Sequence, residues 1–295
     1  MAFLELTFEL GKLDAEDAER ACFAVGALSV TLSDARDDAV LEPAPGEVRL
    51  WPATRVQALF PDEVAVAATT RAVGVMLGLA PANIDTRVIA DRVWELEWRE
   101  HFHALRFGRR LWVAPSHETV EAEDAIVVRL DPGLAFGTGT HPTTAMCLGW
   151  LDSHLRGAER VIDYGCGSGI LGIAAAALGA GTVECFDIDP QALAATTENA
   201  ARNGVDDRVR SVSSADELSR GADVLVANIL SGPLSSLASQ FAELVRPGGW
   251  AVLAGLLASQ VSDVTEAHRA WFDMRGFGAC GEWVGLAGVR DPRAG

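Results

Sequence analysis

The stretch Val161-Ile-Asp-Tyr-Gly-Cys-Gly-Ser-Gly169 runs from a β-rich segment through three alternate glycines into the apolar segment Ile170 to Leu178. A strand that turns this tightly into a helix points to a sheet whose strands are joined by covering helices. The flanking sequence keeps that rhythm. Strand-like runs at Val161 to Tyr164, Val183 to Phe186, Val209 to Val212, Val224 to Ala227 and Trp250 to Ala254 alternate with helical segments at Ile170 to Leu178, Gln191 to Asn203 and Pro233 to Val245. This alternation predicts an α/β fold, a parallel sheet doubly wound with helices.

Upstream the pattern differs. Phe3 to Glu9 alternates apolar and polar residues as a half-buried strand does, Asp14 to Ala24 reads as a capped amphipathic helix, and Leu28 to Leu32 as a second strand. Beyond the Pro/Gly-marked loop Pro43 to Gly46 come strand-like runs near Val48 to Trp51 and Val56 to Phe60, a helix over Glu63 to Leu77 and a closing strand at Arg87 to Ile89. The order β-α-β-β-α-β predicts a small α+β, ferredoxin-like sandwich. With 295 residues the chain exceeds one ordinary domain. The expected division is a small domain over residues 1–92, a linker over 93–115 and a larger domain over 116–295. In the linker, Trp94, Trp98 and Trp112 read as packing anchors. His101 and His103 lack a nearby third ligand, so no metal site is expected.

A net charge of −17 repels a phosphate backbone, so direct nucleic-acid binding is not expected and a basic protein is the better partner. The five cysteines, Cys22, Cys147, Cys166, Cys185 and Cys280, are odd in number and form no CxxC pair, which fits the reducing cytoplasm. No basic-then-apolar leader follows Met1, and charges interrupt every apolar segment, so a membrane location is not expected. The protein is expected to be monomeric.

Gly165, Gly167 and Gly169 allow backbone to press against a nucleoside. Their spacing is GxGxG, with Ile170 where the dinucleotide fingerprint requires glycine, and no P-loop lysine follows. Asp187 ends the next strand, where a carboxylate can accept both ribose hydroxyls; Asp189 and Pro190 read as the cap and first turn of the following helix. Asp163, beside the glycine turn, suits a cationic sulfonium ligand and opposes a pyrophosphate. Asn228 ends the fourth strand at the carboxyl edge of the sheet. Its amide oxygen could accept an amine N–H, or it could simply form a turn.

Four motifs, in order, then become specific: Asp131-Pro-Gly-Leu-Ala-Phe-Gly-Thr-Gly-Thr-His-Pro-Thr-Thr144, the glycine turn from Asp163, Asp187-Ile-Asp-Pro190 and Asn228-Ile-Leu-Ser-Gly-Pro-Leu234. Together with Arg106-Phe-Gly-Arg-Arg-Leu-Trp112 they resemble the PrmA family, the methyltransferases of large-ribosomal-subunit protein eleven, over essentially the whole chain. The resemblance implies a class I, Rossmann-like methyltransferase domain using S-adenosylmethionine. It implies cofactor contacts from Thr144, Gly165, Asp187 and Asn228, with Phe136 and Gly137 in a loop closing over the site. It further implies that the N-terminal domain recognises the ribosomal protein, and that lysine side chains and the N-terminal amine receive several methyl groups each.

Alternatives remain at this level: another translation component as acceptor, or a non-catalytic adenosyl-binding assembly factor. A release-factor or base methyltransferase prefers a DPPY- or NPPY-like strand end, which Asn228-Ile-Leu-Ser231 is not. His141 is the nearby general-base candidate, although a His-Pro step can equally shape the turn.

Overall fold

Alternate side chains decide which face each strand of the central sheet presents. In the computed structural model, Val161, Val224, Val226, Val252 and Ala254 point into one core, while Ile162, Leu225, Ala227, Ala251 and Leu253 point into another. A sheet apolar on both faces needs helices on both sides. The structure describes residues 3–36, 50–61, 64–89, 103–131 and 139–293. They fall into two compact units, Met1–Glu97 and Trp98–Gly295.

The first unit contains β1 (Phe3–Glu9), α1 (Ala15–Ala24), β2 (Ser29–Asp34), β3 (Thr54–Pro61), α2 (Val66–Leu77) and β4 (Asp85–Ile89). All three strand pairings are antiparallel, in the order β2-β3-β1-β4, so the β1-α1-β2 and β3-α2-β4 crossovers interleave. Leu4, Leu6 and Phe8 of β1 and Val56, Ala58 and Phe60 of β3 turn one face toward Ala18 and Cys22 of α1 and Val73 of α2. Asp14 caps α1 by accepting the Asp17 N–H, a contribution of about 1 kcal/mol. Of the strand expected near Val48 to Trp51, Val48 and Arg49 lie outside the described residues, and Leu50 and Trp51 are not in a strand.

The second unit opens with β5 (Leu105–Phe107), β6 (Leu111–Ala114) and β7 (Ile126–Arg129), a three-stranded sheet. Within the stretch read from sequence as linker, Leu105–Phe107 and Leu111–Ala114 are therefore strands, whose Phe107, Leu111 and Val113 enter the core. Trp112 sits in β6, with the Arg106 guanidinium 6.0 Å from its ring centre; Trp94, Trp98 and His101 lie outside the described residues.

There follow α3 (Pro142–His154), β8 (Arg160–Tyr164), α4 (Ile170–Ala177), β9 (Thr182–Phe186), α5 (Pro190–Arg202), β10 (Val209–Val212) and β11 (Ala222–Asn228). The unit ends with α6 (Ser231–Ser236), α7 (Ala238–Leu244), β12 (Val245–Leu257), α8 (Val261–His268), β13 (Phe272–Cys280) and β14 (Trp283–Arg290). The large sheet runs β10-β9-β8-β11-β12-β14-β13. It is parallel through β12 and antiparallel beyond it. Helices α3, α4 and α5 supply one core, and α6, α7 and α8 the other. The helix expected over Pro233 to Val245 is divided at Leu237 into α6 and α7.

The order of connection reverses between β8 and β11. From β8 the chain moves outward to β9 and β10, then returns to β11 on the other side. Such a switch point opens a crevice beyond the carboxyl ends of the two strands. Among the described residues no helix is long and apolar enough to cross a membrane.

Candidate active site

Strand register brings the candidate residues together at that crevice. Val226 pairs with Asp163 across β11 and β8, so two residues further on Asn228 lies beside Gly165. Tyr164 pairs with Phe186 across β8 and β9, which sets Asp187 against the same turn. Gly165, Gly167 and Gly169 all have positive φ, at 79°, 54° and 79°, a backbone region that costs other L-residues roughly 1–2 kcal/mol each. At Gly165 a Cβ would also strike Cγ2 of Ile229. Gly165→Ala is expected to destabilise the protein by about 2–4 kcal/mol, combining backbone strain with overpacking. A urea midpoint unchanged from the parent would refute this account of the turn.

Asp187 holds the turn in place. One carboxylate oxygen accepts the Gly167 N–H at 2.9 Å and the other the Asp189 N–H at 3.0 Å. Each oxygen has a second lone pair free for a ligand hydroxyl. Asp189 accepts the Gln191 N–H at 2.8 Å as N-cap of α5, with Pro190 in the first turn.

Asp163 is buried beneath the turn, at 1% exposure. Its Oδ2 accepts the Gly172 N–H at 2.8 Å, and its Oδ1 is buried without a hydrogen-bond partner. Desolvation pushes its carboxyl up to about 7, the Gly172 N–H opposes that rise, and the charge of Asp187 adds to it. A buried carboxyl with an unused oxygen fits a cationic ligand nearby and disfavours an anionic one.

On the facing side, the Asn228 side-chain N–H donates to Oγ1 of Thr144 at 3.0 Å. Thr144 is buried in the first turn of α3. This bond fixes the amide plane and leaves Asn228 Oδ1 as acceptor. His141 is the N-cap of α3: its Nδ1 lies 2.6 Å from Thr143 Oγ1 and faces the Thr143 N–H at 3.4 Å. Its ring meets Trp283 edge-on, with centroids 4.8 Å apart. Trp283 pairs with Leu257, the last residue of β12, and so stands at the carboxyl end of the sheet. Gly139, from the same threonine-rich stretch, packs against α4: a Cβ there would meet Ile170 Cδ1 at 3.1 Å. Phe136 and Gly137 lie outside the described residues.

A cavity of about 490 Å³ opens at the opposite end of the strands, lined by Arg160, Thr182, Glu184, Arg208 and Arg210 among others. Its arginines are engaged: Arg210 pairs with Glu184, Arg208 donates to the Ala176 carbonyl and Arg160 to that of Arg220. Lying at the amino ends of the strands, it is separate from the crevice.

A family model described as ribosomal protein L11 methyltransferase (PrmA) matches residues 2–291. The chain belongs to this family. The ribosomal protein L11 methyltransferase of Methylococcus capsulatus is 51% identical over 279 residues, covering 94% of this chain and 95% of its own. That of Alkalilimnicola ehrlichii is 46% identical over 293 residues, covering 98% and 99%. Among solved structures, a ribosomal protein L11 methylase from Lactobacillus delbrueckii subsp. bulgaricus superposes with a TM-score of 0.60 at 32% identity, covering 64% of this chain and all of that one. The doubly wound unit thus has the Rossmann-like methyltransferase fold of the PrmA family.

Three residues near the PrmA crevice escaped the sequence reading. Trp283 had no motif around it. Ile188, beside Asp187, is an apolar side chain 87% exposed at the carboxyl edge. Ile229 stood inside a recognised motif, but its contact with Gly165 bridges 64 positions of sequence and leaves no local signal.

Proposed function

We propose that this chain is an S-adenosylmethionine-dependent N-methyltransferase acting on lysine and N-terminal amino groups of a large-subunit ribosomal protein, protein eleven. The observation that carries the reading is the Asn228–Thr144 hydrogen bond, which holds an amide acceptor beside the glycine turn. S-adenosylmethionine, when bound, supplies an electrophilic methyl group. Gly165, Gly167 and Gly169 would lie against the nucleoside, Asp187 would accept its ribose hydroxyls, and Asp163 would answer its positive charge. The exposed Ile188 offers an apolar face suited to a base. The Asp163 carboxyl buried beneath the turn opposes a pyrophosphate, which counts against an NADH or nucleotide reading.

A free lysine side chain has a pKa near 10.4 and must lose its proton before its nitrogen can react. Asn228 Oδ1 accepts an N–H and so orients the neutral amine. The amine sheds its proton to water, since a partly desolvated site next to a cation disfavours the ammonium form. With its Nδ1 turned to Thr143, His141 serves to shape the start of α3. Positioning supplies most of the rate.

Incubation of purified protein eleven with the enzyme and S-adenosylmethionine should add methyl groups in steps of one methyl mass, located by peptide fragmentation to lysine and N-terminal amines. An unchanged mass, from enzyme that binds the cofactor, would reject this acceptor. The first unit is assigned the recognition of the ribosomal protein. Accordingly, a chain lacking residues 1–92 should still bind S-adenosylmethionine and fail to methylate protein eleven; full activity would refute the division. The reading places the enzyme in the cytoplasm as a monomer without direct nucleic-acid contact.

A further inference from the structure

Ile229 follows Asn228 directly and is held on two sides by glycines. At Gly165, in the cofactor turn, a Cβ would collide with Ile229 Cγ2. At Gly255, in β12, a Cβ would collide with the Ile229 carbonyl oxygen and come within 2.9 Å of its carbonyl carbon and 3.1 Å of its nitrogen. Gly255 has φ 88° and lies where the β12–β14 register shifts, between Leu253 and Leu256. Both glycines therefore make room for one residue, one for its side chain and the other for its backbone. Ile229 also packs, partly buried, on the core between the sheet and α6, α7 and α8.

We propose that Ile229 is a positioning residue whose γ-methyl sets the separation between the glycine turn and the acceptor amide of Asn228. Asn228 is tied to α3 through Thr144. Its neighbour bears on Gly165, and Gly165 is tied to β9 through its N–H to the Phe186 carbonyl at 2.8 Å. The wedge thereby joins the part of the crevice that would hold the cofactor to the part that would hold the amine. Distance errors below 1 Å between such parts slow reactions strongly. This inference rests on the amine-methylation reading.

The decisive feature is the methyl at Cγ2, not hydrophobicity. Valine and threonine keep a γ-methyl at that point, while alanine and serine lack it; threonine and serine are both polar and differ only by this methyl. Ile229→Val and Ile229→Thr should therefore keep kcat within about threefold, whereas Ile229→Ala and Ile229→Ser should lose about tenfold or more. The KM for the protein acceptor should stay within about twofold in all four variants, because Ile229 acts on alignment. In the two variants without the methyl, mass spectra should accumulate mono- and dimethylated amines.

Calorimetric affinity for S-adenosylmethionine supplies a readout independent of the acceptor. It should weaken about threefold or more in the alanine and serine variants and hold in the other two. Thermal melts identify variants that merely unfold, and the threonine variant then decides. A folded Ile229→Thr protein that has lost as much as Ile229→Ser overturns the proposal, as does an Ile229→Ala protein with unchanged kcat and cofactor affinity. A parent enzyme that binds the cofactor and leaves protein eleven unmodified would overturn the assigned acceptor instead, and the affinity series would still test the wedge.

Discussion

Turnover of Asn228→Ala should fall by about 10²- to 10³-fold, the scale of removing one preorganised polar group from a reacting centre. The folded state should lose only about 1 kcal/mol, because the side chain is half-buried and, among the described residues, makes one hydrogen bond, to Thr144. The variant separates chemistry from folding. Its effect should appear in single-turnover rates at saturating cofactor, with urea denaturation run on the same preparation. Thr144→Val should cost less, about tenfold, since it frees the amide to rotate but leaves the acceptor in place. Parental single-turnover rates in Asn228→Ala would remove this residue from the mechanism.

Asp163→Asn should make the unliganded protein more stable at pH 8 while weakening its hold on S-adenosylmethionine. The carboxyl is pushed up to about 7 in the folded chain, against about 3.9 for an aspartate in unfolded peptide. Between those values the native state binds a proton that the unfolded state has released, so this group lowers stability as pH rises. The penalty is absent below about pH 4 and complete above about pH 7, where it reaches on the order of 4 kcal/mol. Asparagine cannot ionise, and its amide oxygen still accepts the Gly172 N–H. Urea midpoints at pH 5 and pH 8 should therefore diverge between parent and variant, most at the higher pH. A cation bound near Asp163 favours its charged form, so cofactor should restore the parent at pH 8 and do less for the variant. Parallel pH slopes for the two proteins would contradict the assignment.

The parallel strands and the glycine turn were legible because each carries its own local signature. Val161 and Ile162 send apolar side chains into the two opposite cores, and the alternate glycines admit few structures. Other elements left weak traces. Helix α3 is buried on most of its circumference, at Thr143, Thr144, Cys147, Leu148, Trp150, Leu151 and Asp152, so it has no amphipathic stripe to reveal a helical period. Strands β5, β6 and β7 are three or four residues long, too short for an alternation to declare itself. Strands β13 and β14 contain Gly276, Gly278, Gly285 and Gly288, residues that depress strand propensity. Packing overrides it here: a Cβ at Gly285 would strike the Phe277 ring, and one at Gly288 the Met274 sulfur. At the crevice the sequence named Thr144 and Asn228 separately. Their bond spans 84 positions, and only the folded sheet could pair them.

The last two strands impose an order on how this molecule can be made. Although β14 follows β13 in the chain, it lies between β13 and β12 in the sheet. During synthesis β13 therefore emerges with nothing to pair with, and β12 keeps one edge bare until β14 arrives. By then the glycine turn, Asp187 and Asn228 already belong to five parallel strands, whereas Trp283, the ring against His141, is the first residue of β14. A chain stalled before that point would carry the glycine turn, Asp187 and Asn228 without the ring beside His141, and would offer its open strand edge to any extended segment nearby. The bare edge of β12 is thus covered only once β14 has been made, and the interval before β14 emerges is when the growing sheet is most exposed to pairing with the wrong strand.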